Sequence, residues 1–413
     1  MATIKPFRGF RPAGHCEKIA CPPYDVLNSA EARKMAEGNP YSFLHVDKPE
    51  IDLPEGTDLY APEVYAKAKE NLEQFIQTGV LKQDEKPAFY LYAQTMDGRT
   101  QYGLVAAAST DEYEKGIVRK HELTRKDKED DRTRHVHALS ATTGPVFLTY
   151  PDNAAINEKT AEIAAEFPVC SFTADDGIKH TFWVIDDPQD IKFLMDAFAA
   201  IPTLYIADGH HRSAAAANVA RQRREHNPKH TGEEKYNFFL SVIFPAGQLY
   251  VMDYNRLVKD LNGLTEKDFL AKISDKFDVE KTGKERPQKR HEFGMYLGGQ
   301  WYTLRAKKGS FDEHDPVAAL DVSILQENLL GPVLGIGDPR TDKRIDFVGG
   351  IRGLGELKKR VDGGKWRVAF SMFPTSMEEL MKVADANKIM PPKSTWFEPK
   401  LRSGLVIYKY EDK

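Results

Sequence analysis

Short apolar and aromatic runs alternate with helical segments through most of the chain, and that alternation limits it to folds that mix sheet and helix. Phe89-Tyr90-Leu91-Tyr92-Ala93-Gln94 and Tyr102-Gly103-Leu104-Val105-Ala106-Ala107 read as strands, and Asp97-Gly98 between them supplies a hairpin turn. Further strands are expected at 144–150, 181–185, 204–207 and 238–244, with helices at 61–77, 155–166, 191–200 and 213–224. A hairpin within strand–helix alternation favours a mixed α/β or α+β fold over a purely parallel sheet. The segment 115–137 is very polar and carries no clear period. Beyond residue 250 another α/β region follows, with helical periods over 317–330, 354–361 and 377–384 and strands at 367–373 and 404–408. The expected division is 1–250, holding the candidate nucleotide-binding core, and 251–413.

Charge and composition exclude several partners. The net charge of −4 gives no global attraction to nucleic acid or anionic membranes, so any phosphate must be met by a local cluster of cations. No run approaches the ~20 apolar residues of a membrane span, and the N-terminus lacks the apolar stretch of a signal peptide. The three cysteines, Cys16, Cys21 and Cys170, are odd in number and show no framework spacing. They read as ordinary thiols of a soluble cytoplasmic protein. His15, Cys16 and Cys21 lack the further ligand that a zinc site needs.

The strongest local signal is Ile206-Ala207-Asp208-Gly209-His210-His211-Arg212-Ser213, which joins an apolar strand to an Ala-rich helix. The turn between them holds a carboxylate, a glycine, two imidazoles and a guanidinium. Gly209 permits a tight conformation or a close ligand approach. The helix start at Ser213 offers unpaired amides and a partial positive charge to an anion. Arg212 has the geometry to grip a phosphate through two parallel hydrogen bonds. Asp208 suits a magnesium ion or a substrate hydroxyl. The bland alternative is a plain turn capped by Asp208, with solvated histidines.

Two further segments carry chemistry-bearing residues. Arg119-Lys120-His121-Glu122 continues to Lys128 and Arg132, and a carboxylate held among cations, Glu122, suits proton abstraction from a hydroxyl if it faces a cleft. As a charge run it reads equally as a solvated loop. Met390-Pro391-Pro392-Lys393-Ser394-Thr395 ends like a P-loop but lacks the phosphate-cradling glycines, which leaves Lys393 as a point-charge contact at most. Cys21-Pro22-Pro23-Tyr24-Asp25 is a rigid turn or a pocket wall.

These blocks, with Asn39-Pro40-Tyr41-Ser42-Phe43-Leu44, together resemble the DUF1015 family of domains of unknown function over nearly the whole chain. The Asp208-Gly209-His210-His211-Arg212 segment is also similar to the Gly-x-x-Arg element of the ParB/sulfiredoxin-like nucleotide-binding fold. Some members of that fold phosphorylate free L-serine with a glutamate as base. The resemblance implies a ParB/sulfiredoxin-like core with N- and C-terminal α/β extensions. It also implies an ATP- or ADP-dependent, magnesium-assisted kinase for serine or a similar small hydroxyl compound, with no nucleic-acid or membrane partner. On that reading Glu122 is the base, and Asp208 and His210 are further catalytic groups, with Asp208 holding the metal. Gly209, His211, Arg212 and Ser213 bind the phosphates, and Lys128, Arg132 and Lys393 close over them. The alternative is a non-catalytic ParB-like nucleotide-binding regulator.

Overall fold

The computed structural model describes residues 1–411 and is mixed α/β. It divides into two compact units, one of Met1–Leu249 together with the chain from Pro399 onward, the other Tyr250–Glu398. The end of the chain, grouped by sequence with the C-terminal region, thus returns to the first unit. Its strand Tyr408–Lys409 pairs with Ala141–Thr142, and Ser403 and Ile407 bridge to Cys21 and Phe10.

The first unit is built on a nine-stranded mixed sheet. Its path runs Val118–Arg119, Leu204–Asp208, Val146–Tyr150, Phe238–Pro245, Arg99–Ser109, Phe89–Met96, Lys179–Ile185, Cys170–Thr173, with Ile4–Lys5 added beside Arg99–Ser109. The hairpin forms at Asp97-Gly98, where Met96 pairs with Arg99 and both turn residues take positive φ. Two neighbouring pairs are parallel, Leu204–Asp208 with Val118–Arg119 and Phe238–Pro245 with Val146–Tyr150. Leu148, Leu204, Ile206 and Phe239 are fully buried in the sheet's core cluster, each contributing roughly 2 kcal/mol of burial. A second cluster gathers Phe10, Phe43, Leu72 and Phe75 around helix Pro62–Gln77.

The polar stretch is a helix, Lys126–Leu139. Only Val136 and Leu139 of its apolar side chains are buried, so the hydrophobic period that reveals most helices is nearly absent. Lys126–Asp130 supports it at i,i+4, and Asn218 of helix His210–Glu225 donates to Glu129 at 2.7 Å. The cysteines also depart from expectation. Cys16 and Cys170 form a disulfide across 154 positions, while Cys21 is free and buried. Spacing along the chain carries no trace of a pair so distant.

The second unit holds a six-stranded antiparallel sheet ordered Phe277–Lys281, Gln300–Ala306, Glu292–Leu297, Val368–Met372, Tyr254–Val258, Ile345–Gly349. Leu257, Trp301, Val348 and Leu357 lie in its core. Among the described residues no helix is long and apolar enough to cross a membrane.

Candidate active site

Strand Leu204–Asp208 passes into helix His210–Glu225 through a single residue, Gly209, with φ 97°. The helix opens three positions before the expected Ser213, so His210, His211 and Arg212 form its first turn. Pairing with Val146–Tyr150 slips between Ile206 and Asp208, and such a bulge re-aims the side chain that follows. Gly209 is required twice. Its φ suits glycine, and a Cβ there would lie 3.1 Å from Arg212 Nε and 3.2 Å from its Cζ. The guanidinium lies directly across the glycine. No side chain caps this helix, so its first amides are left to another acceptor.

Arg212 is buried. Its Nη1 donates to the Pro145 carbonyl and its Nη2 to Asp208 Oδ2 at 3.3 Å, while Nε has no partner. Burial works to lower its pKa, but the carboxylates of Asp25 and Asp208 raise it. Arg212 therefore stays charged beneath the helix start. Asp208 is partly buried and faces a second cation, Lys400, whose Nζ is 3.6 Å from the same oxygen. Burial pushes the Asp208 carboxyl up, yet Lys400, Arg212 and the Gly209 amide hold it near 2.

Glu122, about half exposed, brings Oε2 to 3.8 Å from Nδ1 of buried His210. The rings of His121 and His210 meet edge to face with centroids 4.6 Å apart, and the His121 amide lies 3.5 Å from His210 Nε2. Burial is the main cause that keeps both imidazoles neutral, lowering His121 to about 4 and His210 well below its ordinary value.

Residues 4–323 match the family described as "Protein of unknown function (DUF1015)". The chain belongs to that family. Solved structures similar to this DUF1015 protein include a free serine kinase in complex with AMP, 12% identical with a TM-score of 0.35 over 71% of this chain and 86% of that one. A conserved hypothetical protein from Pyrococcus furiosus is 14% identical, with a TM-score of 0.34 over 73% and 93%. SbnI with a C-terminal truncation, from Staphylococcus aureus, is 10% identical, with a TM-score of 0.36 over 72% and 85%. No curated protein matches the chain.

Of the residues singled out from sequence, the DUF1015 fold gathers Glu122, Asp208, Gly209, His210 and Arg212 in one place. Arg212 is not the open two-pronged clamp expected, because two of its nitrogens are already engaged. Ser213 is fully buried, and its hydroxyl turns back on the Gly209 and His210 carbonyls. His211 accepts from the Arg125 amide at 3.0 Å and so fixes the start of helix Lys126–Leu139. Lys128 donates to the Tyr60 hydroxyl at 3.0 Å. Arg132 pairs with Asp131, lies 4.1 Å over the Tyr24 ring and lines a narrow cavity with Tyr24, Asp47, Thr143 and Arg212. Lys393 belongs to the second unit, where its ammonium stands over Tyr254. The lysine beside Asp208 is Lys400, seven positions further along the same Pro-rich segment and missed by sequence reading.

Proposed function

We propose that this DUF1015 protein binds a nucleotide with its phosphates at the start of helix His210–Glu225 and transfers a phosphoryl group to a small hydroxyl compound, free L-serine first among them. The reading is carried by one observation. Glu122 stands beside an uncapped helix start that has a buried, charged arginine under it and a lysine at its flank. Amides at a helix start favour a phosphate. Arg212 and Lys400 add fixed positive charge, and Arg212 Nε is without an acceptor. Phosphoryl transfer asks the protein mainly for positioning and charge stabilisation. Glu122, open to solvent, is the group able to accept the hydroxyl proton, and neutral His210 orients it.

Magnesium fits Asp208 poorly. Its Oδ2 is shared between two cations that compete with an ion for it, and magnesium asks for several oxygen ligands. No step is assigned to the ion.

The test is incubation of the purified protein and serine with ATP, ADP or pyrophosphate in turn, with phosphoserine read by mass spectrometry. Glu122→Gln should lower turnover roughly 100-fold while nucleotide binding persists. Absence of phosphoserine with every donor overturns the acceptor. Nucleotide binding with no turnover of any hydroxyl compound would favour the regulator.

A further inference from the structure

We propose that His121, Glu122 and His210 form a site for a divalent transition-metal ion, zinc in the first instance. Each residue offers one ligand atom, and the three atoms lie within 4.8 Å of one another. Ligand atoms held about 2.1 Å from a tetrahedral zinc lie roughly 3.4 Å apart, so the set must close by up to about 1.4 Å to hold one. Glu122 is the exposed member of the set.

An independent feature of His121 points the same way. His121 Nδ1 is buried and has no hydrogen-bond partner in the protein. Its ring is tied on the other side to the Ile206 backbone carbonyl. A metal-binding histidine is commonly held like this, with one nitrogen anchored to a carbonyl and the other presenting its lone pair.

Donor chemistry selects the ion. Two imidazoles and one carboxylate suit zinc and its first-row neighbours, not magnesium or calcium. Three protein ligands leave one coordination position open to water, so the site is not a closed structural one. The inference does not rest on the kinase reading, because ion binding is measured without nucleotide or serine. The two meet at Glu122, so an ion held there occupies the proton acceptor of the proposed transfer and would inhibit it.

The experiment titrates chelator-stripped, full-length protein with zinc chloride by calorimetry and counts retained metal by elemental analysis after gel filtration. One zinc per chain is expected, with affinity at least about tenfold weaker in both His121→Gln and Glu122→Gln. Circular dichroism confirms folding, and Glu122→Gln, a change at an exposed position, decides the matter if His121→Gln does not fold. Failure of the stripped protein to bind zinc overturns the site, as does wild-type affinity in Glu122→Gln.

Discussion

Helix Met377–Asp385 of the second unit closes its own N-terminus, and helix His210–Glu225 of the first does not. Ser376 accepts from the Glu379 amide at 3.1 Å, while the Glu379 carboxylate accepts from the Ser376 amide at 2.8 Å and pairs with Arg290 through its other oxygen. Donors, acceptor and cation are matched within a few residues. At His210 the capping position is a glycine with no side chain, and the nearby guanidinium retains a nitrogen without an acceptor. Buried polar groups are nearly always satisfied. The contrast separates a helix start capped by its own sequence from one that no side chain caps.

The sharpest way to break that comparison is to remove the arginine from each. Arg212→Ala takes a buried charge from between Asp208 and the Pro145 carbonyl, and stability should fall by about 3 kcal/mol with nucleotide affinity down at least about tenfold. Arg290 has a side chain 43% exposed, and Arg290→Ala should cost below about 1 kcal/mol. Chemical denaturation of both variants, with nucleotide titration of each, checks this. Equal losses would mean that the two helix starts are not different in kind.

The units also bury titratable groups of opposite sense. In the first, burial and then the Arg402 charge lower His180 to about 3. Its unfolded counterpart takes up a proton near pH 6.5, so its contribution to stability is present above that pH and declines as the pH falls toward 3. In the second, burial raises Asp321 to about 7. The unfolded chain loses that proton near pH 4, so this contribution is present at low pH and declines as the pH rises from about 4 to 7. His291, half-buried beside it, works in the opposite direction. Hydrogen exchange resolved by segment, at pH 5 and pH 7, should show strand Lys179–Ile185 better protected at pH 7. It should show the segment around Asp321 changing less or in reverse. A parallel change in both would remove the distinction.

What could be read from sequence follows the range of the interactions involved. The Asp97-Gly98 hairpin and the strand leading to Gly209 are set by neighbours in the chain, and both were legible. Helix Lys126–Leu139 was not, because its support is ion pairing and packing against another helix rather than an apolar stripe. Glu122 and Asp208 could be named as residues of interest from local chemistry. Their meeting depends on a sheet pairing of residues far apart, Val118–Arg119 with Leu204–Tyr205. Lys400 was hidden for a similar reason, since nothing local says that the chain returns to the first unit after Glu398. Arg212 was singled out as an open clamp, which is not how it lies. Sequence gives a guanidinium at a helix start and is silent on the carbonyl of Pro145 waiting beneath it.

Smaller than the loss at Arg212 are the effects at the two capping positions themselves. Ser376→Ala leaves the Glu379 amide without its acceptor and should cost about 1 kcal/mol, the usual worth of a cap, with no change in nucleotide affinity. Gly209→Ala forces an L side chain to φ 97° and presses a methyl group to within 3.1 Å of Arg212 Nε, a penalty of about 1–3 kcal/mol in backbone strain. The two losses overlap, so stability alone distinguishes them poorly. Binding separates them, because the methyl group must displace the guanidinium that lies across the glycine. Nucleotide titration of Gly209→Ala, set against Ser376→Ala of matched stability, should show weakened binding in the first variant only. Unaltered binding in Gly209→Ala would place the phosphates elsewhere than at this helix start.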